Sequence, residues 1–170
     1  MTSAQTFDEI RSAAQQGDME AQYNLGIMYD NGQGVPENDA EAVKWFKLAA
    51  QQGDMVAQSR LGDMYANGLG VPENDAEAVK WYKLAAQQGL MNAQFRLGVM
   101  YDNGRGVPEN DAEAVKWFKL AAQQGDMVAQ FSLGVMYDNG RGVPENDAEA
   151  VKWYKLAAQQ GNIYAQFNLG

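Results

Sequence analysis

Residues 34–53 read GVPENDAEAVKWFKLAAQQG, and the same block returns at Gly70, Gly106 and Gly142. The only change inside it is Phe46 and Phe118 alternating with Tyr82 and Tyr154. The starts lie 36 residues apart each time. A fixed period of that length belongs to a stack of supersecondary units, each unable to bury its apolar face alone. The expected division is 4–39, 40–75, 76–111 and 112–147, with a partial fifth unit at 148–170, all within one solenoid domain spanning 1–170.

One unit reads as two helices. Asn74 is placed to cap the first, and Glu77, three residues on, completes a capping-box pattern. That helix is expected to run to about Gln88, with Gly89 ending it in a left-handed conformation. A second helix starts near Leu90 or Met91 and ends at Asn103-Gly104. Asp54 and Asp126 stand where two other units need an N-cap. The segment Gly104-Arg105-Gly106-Val107-Pro108 then turns the chain back, with Val107 as an apolar anchor. The sequence therefore predicts an all-α fold, an α-solenoid of antiparallel helix pairs. Gly62 sits mid-helix, where Gly costs about 1 kcal/mol relative to Ala. Its expected compensation is close approach to Ala49 and Ala50.

Comparing the units with one another assigns faces. The first has Glu9 where later ones have Trp45, and Ser12 where they have Leu48. A first repeat has no predecessor to pack on, so Trp45 and Leu48 are expected to face the preceding unit. Tyr23/Ile27, Phe95/Val99 and Phe131/Val135 then form the receiving surface. Ser59 and Asp63 interrupt it, which predicts a weak polar seam that Phe and Val would strengthen.

These features resemble the Sel-like repeat, a relative of the tetratricopeptide repeat. Trp45-Phe46, Ala49-Ala50, Gly53, Ala57, Leu61-Gly62, Tyr65, Gly68 and Gly70-Val71 carry the resemblance, which covers nearly the whole chain. It implies a right-handed superhelix of tetratricopeptide-like helix pairs, and a role as adaptor or interaction scaffold, often bacterial. One branch of that family carries a cysteine pair in each repeat. This chain has no cysteine, and the properties of that branch are not carried over.

Composition narrows function further. The absence of cysteine and histidine removes thiolate ligands, the commonest zinc ligand and the commonest general base. A net charge of −9 disfavours nucleic acid and anionic membrane surfaces as partners. No apolar run reaches bilayer length, and no membrane insertion is expected. The opening MTSAQTFDEI lacks the basic-then-apolar pattern of a leader, so a cytoplasmic location is expected, or a secreted or periplasmic one for a chain whose leader has been removed. Asp102 to Glu113 begins and ends like a calcium loop. However, Gly104 and Gly106 offer no side-chain oxygen where ligands belong. The Gly-x-Gly of the loop follows no strand. No catalytic residue, cofactor or metal is expected.

All eight lysines lie on first helices: Lys44, Lys47, Lys80, Lys83, Lys116, Lys119, Lys152 and Lys155. Gln51, Gln87 and Gln123 accompany them. Two readings stand. One is a solvated face with Glu41–Lys44 pairs. The other is a groove for an extended acidic or carboxylate-ended peptide. The function expected is a noncatalytic scaffold holding a protein or peptide. A structural or self-associating array is the alternative, and a carboxylate-based hydrolase comes third. At the carboxyl end, Tyr164 and Phe167 occupy the arc that would receive a next unit. Either the array continues, or this end meets another molecule, such as a second copy, through Trp153, Tyr164, Phe167 and Leu169.

Overall fold

A computed structural model describes residues 6–170. Residues 4 and 5 of the first expected repeat lie outside them, as does half of the stretch read above for a leader. The chain divides into two compact units, Met1–Gln88 and Gly89–Gly170. The amino-terminal unit holds α1 (Phe7–Gln15), α2 (Met19–Asn31), α3 (Asp39–Gln51), α4 (Met55–Asn67) and α5 (Asp75–Gln87). The carboxyl-terminal unit holds α6 (Met91–Asn103), α7 (Asp111–Gln123), α8 (Met127–Asp138), α9 (Asp147–Gln159) and α10 (Ile163–Asn168). There is no strand among the described residues, and the fold is all-α, built from paired helices as expected.

Local chemistry sets the boundaries. The Asn38, Asn74, Asn110 and Asn146 side chains each accept a hydrogen bond from the backbone N–H three residues on, at 3.0–3.1 Å. The glutamates at those third positions do not close a capping box, because they turn outward to a lysine one turn further along. Among the described residues, only Thr6 and Glu9 make the reciprocal pair. Asp18, Asp54, Asp126 and Asn162 cap the second helices. At α6 the cap position is Leu90, whose side chain bonds nothing there. Gly89 is left-handed, at φ 94°, as the sequence required. The return loop then brings the Asn74 N–H within 2.8 Å of the Tyr65 carbonyl, and Asn146 makes the same bond to Tyr137 at 2.9 Å. Each first helix is thus tied by backbone to the second helix before it.

The core lies at those junctions. In the amino-terminal unit Ala42, Val43, Phe46, Ala49, Ala50, Ala57, Leu61 and Met64 form one buried cluster, covered by Tyr23, Ile27, Val71 and Trp81. Its counterpart in the other unit joins Val115, Phe118, Leu133, Met136 and Trp153. Trp45, Trp81 and Trp153 all pack back on the preceding helix pair, as the Glu9 comparison predicted.

Three expectations are corrected. The nearest neighbour of Gly62 is Tyr82, not Ala49 or Ala50. A β-carbon there would stand 2.6 Å from the Tyr82 ring, and Gly26, Gly98 and Gly134 sit likewise under Phe46, Phe118 and Tyr154. The glycine makes room for the aromatic ring of the following first helix. Leu48 and Leu84 lie on the flank toward the preceding pair without being buried by it; they stay 42% and 45% exposed. Finally, Ser59 and Asp63 are not a loose seam. Ser59 is buried, and Asp63 accepts a 2.7 Å hydrogen bond from the Tyr82 hydroxyl. The phenol supplies the donor that Phe46 and Phe118 lack.

Candidate partner-binding face

First helices turn one arc into solvent in each unit. On α3 it carries Lys44, Lys47, Leu48 and Gln51, and on α5 Lys80, Lys83, Leu84 and Gln87, all exposed. On α7 the same places hold Lys116, Lys119, Leu120 and Gln123, and on α9 Lys152, Lys155, Leu156 and Gln159, again exposed. Helical spacing of three and four residues puts each set on one side.

The two lysines of a helix are not equivalent. Lys44 pairs with Glu41 and Lys80 with Glu77. Lys116 and Lys152 each lie 3.3 Å from the carboxylate of Glu113 or Glu149. Their ammonium groups also stand 5.3 and 5.6 Å over the rings of Trp117 and Trp153. Pairs this exposed contribute a few tenths of a kcal/mol. The second lysines, Lys47, Lys83, Lys119 and Lys155, have no such partner among the described residues. Their ammonium groups meet water, and a carboxylate from outside displaces no internal ion pair.

Behind this face runs a glutamine ladder that the sequence reading passed over. Gln52 Nε2 donates to the Gly17 carbonyl at 3.0 Å and to Gln22 Oε1 at 2.8 Å. Gln88 repeats both bonds to Gly53 and Gln58, and Gln58 donates to the Ala50 carbonyl. In the other unit Gln124 reaches Gly89 and Gln94, and Gln160 reaches Gly125 and Gln130. The buried member thereby has both amide atoms satisfied. The ladder fixes the carboxyl end of one first helix beside the next. Its signal was in the sequence: a Gln stands at 22, 58, 94, 130 and 166, on the core side of an otherwise variable helix.

Arg141 bridges Asp102 at 2.9 Å and Asp111 at 2.7 Å, and its pKa is raised, foremost by the hydrogen bond to Asp111. In the amino-terminal unit the matching loop residue is Leu69. There Asp30 has its pKa raised chiefly by burial, an effect Arg60 opposes and Asp39 reinforces. Tyr154 is raised likewise by burial. A small cavity lies against Phe118, Phe131, Val135 and Arg141. No cluster of three or more metal-type ligands occurs among the described residues, and no helix is long and apolar enough to cross a membrane.

At the carboxyl end the four candidate residues do not form one patch. Trp153 is buried in the cluster with Leu133 and Met136. Leu169 is half-buried against the group around Tyr154. Tyr164, 65% exposed, has its ring 6.0 Å from Phe131, while Phe167 is 85% exposed.

A sequence model described as "Sel1 repeat" matches residues 20–54, 56–90, 92–126 and 128–162. Each match opens on a second helix and runs through the next first helix, the pair that the ring-over-glycine contact joins. Two solved structures are similar over nearly the whole chain. One is c5321 of uropathogenic Escherichia coli, a protective antigen displaying an SLR fold, at 43% identity and TM-score 0.91, covering 95% of this chain and 35% of that one. The other is a Sel1 repeat protein of Oxalobacter formigenes, at 38% identity and TM-score 0.86, covering 96% of this chain and 48% of that one. The chain thus spans about a third and about half of their lengths. The cysteine-rich protein B of Helicobacter pylori shares the fold at 22% identity and TM-score 0.61. No curated protein matches the chain in sequence.

Proposed function

The chain belongs to the Sel1 repeat family, and from that premise we propose that it is a noncatalytic scaffold whose first-helix faces hold an extended, acidic protein segment. Sel1 repeat proteins are generally protein-interaction scaffolds. The observation that carries the finer reading is the unpaired second lysine of every lysine-bearing helix, Lys47, Lys83, Lys119 and Lys155, in a protein of net charge −9. All eight lysines lie on this one kind of surface, and electrostatic complementarity selects partners there. The identical residues in successive repeats suit a ligand that is itself extended and repetitive.

The test uses a fluorescein-labelled peptide of alternating leucine and glutamate, followed by anisotropy at low salt. Charge reversal of Lys80, Lys83, Lys116 and Lys119 to Glu is expected to leave the helical circular dichroism intact and weaken binding by about tenfold or more. Undiminished binding by that variant rejects the lysine face as the site.

A further inference from the structure

The exposed leucines of the first helices lie outside the buried core clusters. Leu48, Leu84, Leu120 and Leu156 keep 37–45% of their surface in water. The equivalent place in α1 is filled by Ser12, also exposed. A single exposed Leu is ordinary. Four at one structural position, all within the arc that carries the lysines, form a regular feature of a surface.

Their placement is specific. Leu84 precedes Gln88 by one helical turn, and Gln88 reaches across to the Gly53 carbonyl at the end of the preceding first helix. Leu84 therefore stands on the flank of α5 that faces α3. Lys47 follows Trp45 by two residues, which is just over half a turn of helix. Trp45 packs back on the α1–α2 pair, so Lys47 lies on the opposite flank of α3, the one toward α5. One seam thus has an exposed Leu on one bank and an unpaired Lys on the other. Gln160 and Gly125 fix the same relation for Leu156 and Lys119, and Gln52 and Gly17 for Leu48 and Arg11.

Resting on the reading above, we infer that these seams are two-part subsites: the leucine takes an apolar side chain of the bound segment, and the basic residue across the seam takes a neighbouring carboxylate. The partner is then a chain in which acidic and apolar residues alternate, not a uniformly acidic one. Apolar contact supplies affinity that salt does not screen, and the charge sets orientation.

Two comparisons test this. The alternating leucine–glutamate peptide is measured against an alternating serine–glutamate peptide of equal length. The protein is then changed at Leu48→Gln, Leu84→Gln, Leu120→Gln and Leu156→Gln together, sites whose exposure leaves the fold intact by circular dichroism. The serine peptide is expected to bind about tenfold or more weakly than the leucine peptide, and the leucine variant to lose that difference. Equal binding of the two peptides, or full affinity of the variant for the leucine peptide, overturns the inference. If charge reversal at the lysines still abolishes binding in that case, the lysine-face reading stands without the leucine subsites. If neither change matters, both fall.

Discussion

At Gly62 a β-carbon would stand 2.6 Å from Tyr82 Cε1, inside the distance any real packing allows. Helix propensity alone favours Ala at this place by about 1 kcal/mol. The ring contact opposes it, because inserting a methyl group into a filled core costs about 1–3 kcal/mol or more. Gly62→Ala is therefore expected to lower the urea midpoint despite its better helix former. A raised midpoint would mean that the ring moves aside freely and that the glycine is not required. The lysines show the same dependence on immediate neighbours. Lys44 and Lys47 are three residues apart on one helix. Only the first has a glutamate three residues before it, so only the second keeps its charge unpaired.

Between elements, the seams repeat a single contact with one variation. Tyr23 meets Phe46 at 5.9 Å between ring centres, Phe95 meets Phe118 at 5.9 Å, and Phe131 meets Tyr154 at 5.8 Å. The α4–α5 seam has Ser59 in place of the first ring and joins Tyr82 to Asp63 instead. Asp63→Val is expected to cost about 1–2 kcal/mol, since it removes the carboxylate that accepts the 2.7 Å hydrogen bond from the Tyr82 hydroxyl. In a Tyr82→Phe background most of that cost should vanish, giving a coupling of about 1 kcal/mol in a double-mutant cycle by urea unfolding. If Asp63→Val stabilises both backgrounds equally, the hydrogen bond contributes nothing.

Helix existence, boundaries and caps were legible in the sequence because they depend on neighbours a few residues away, as Asn74 and Gly89 do. The partner of Gly62 was not, since it depends on which flank meets the following helix. The phenol of Tyr82 held the missing clue, in that the position alternates between Phe and Tyr while everything around it repeats. The lysines were found as a stripe, but their division into paired and unpaired members required the rotamers of the glutamates.

For the molecule as a whole, the fold explains how one exposed arc of lysine, leucine and glutamine recurs at a fixed interval. Capping, ring-over-glycine packing and the glutamine ladder use the core-facing positions, which leaves the outer arc of the first helices free to vary in chemistry without loss of stability. The central claim is that this arc, through its unpaired lysines, is where a partner binds. Lysine acetylation footprinting with the leucine–glutamate peptide at saturation tests it most directly, since mass spectrometry separates the two lysines of each helix. Bound peptide should slow acetylation of Lys47, Lys83, Lys119 and Lys155 more than that of Lys44, Lys80, Lys116 and Lys152. Peptide that is bound while all eight lysines react at their free rates would contradict the account.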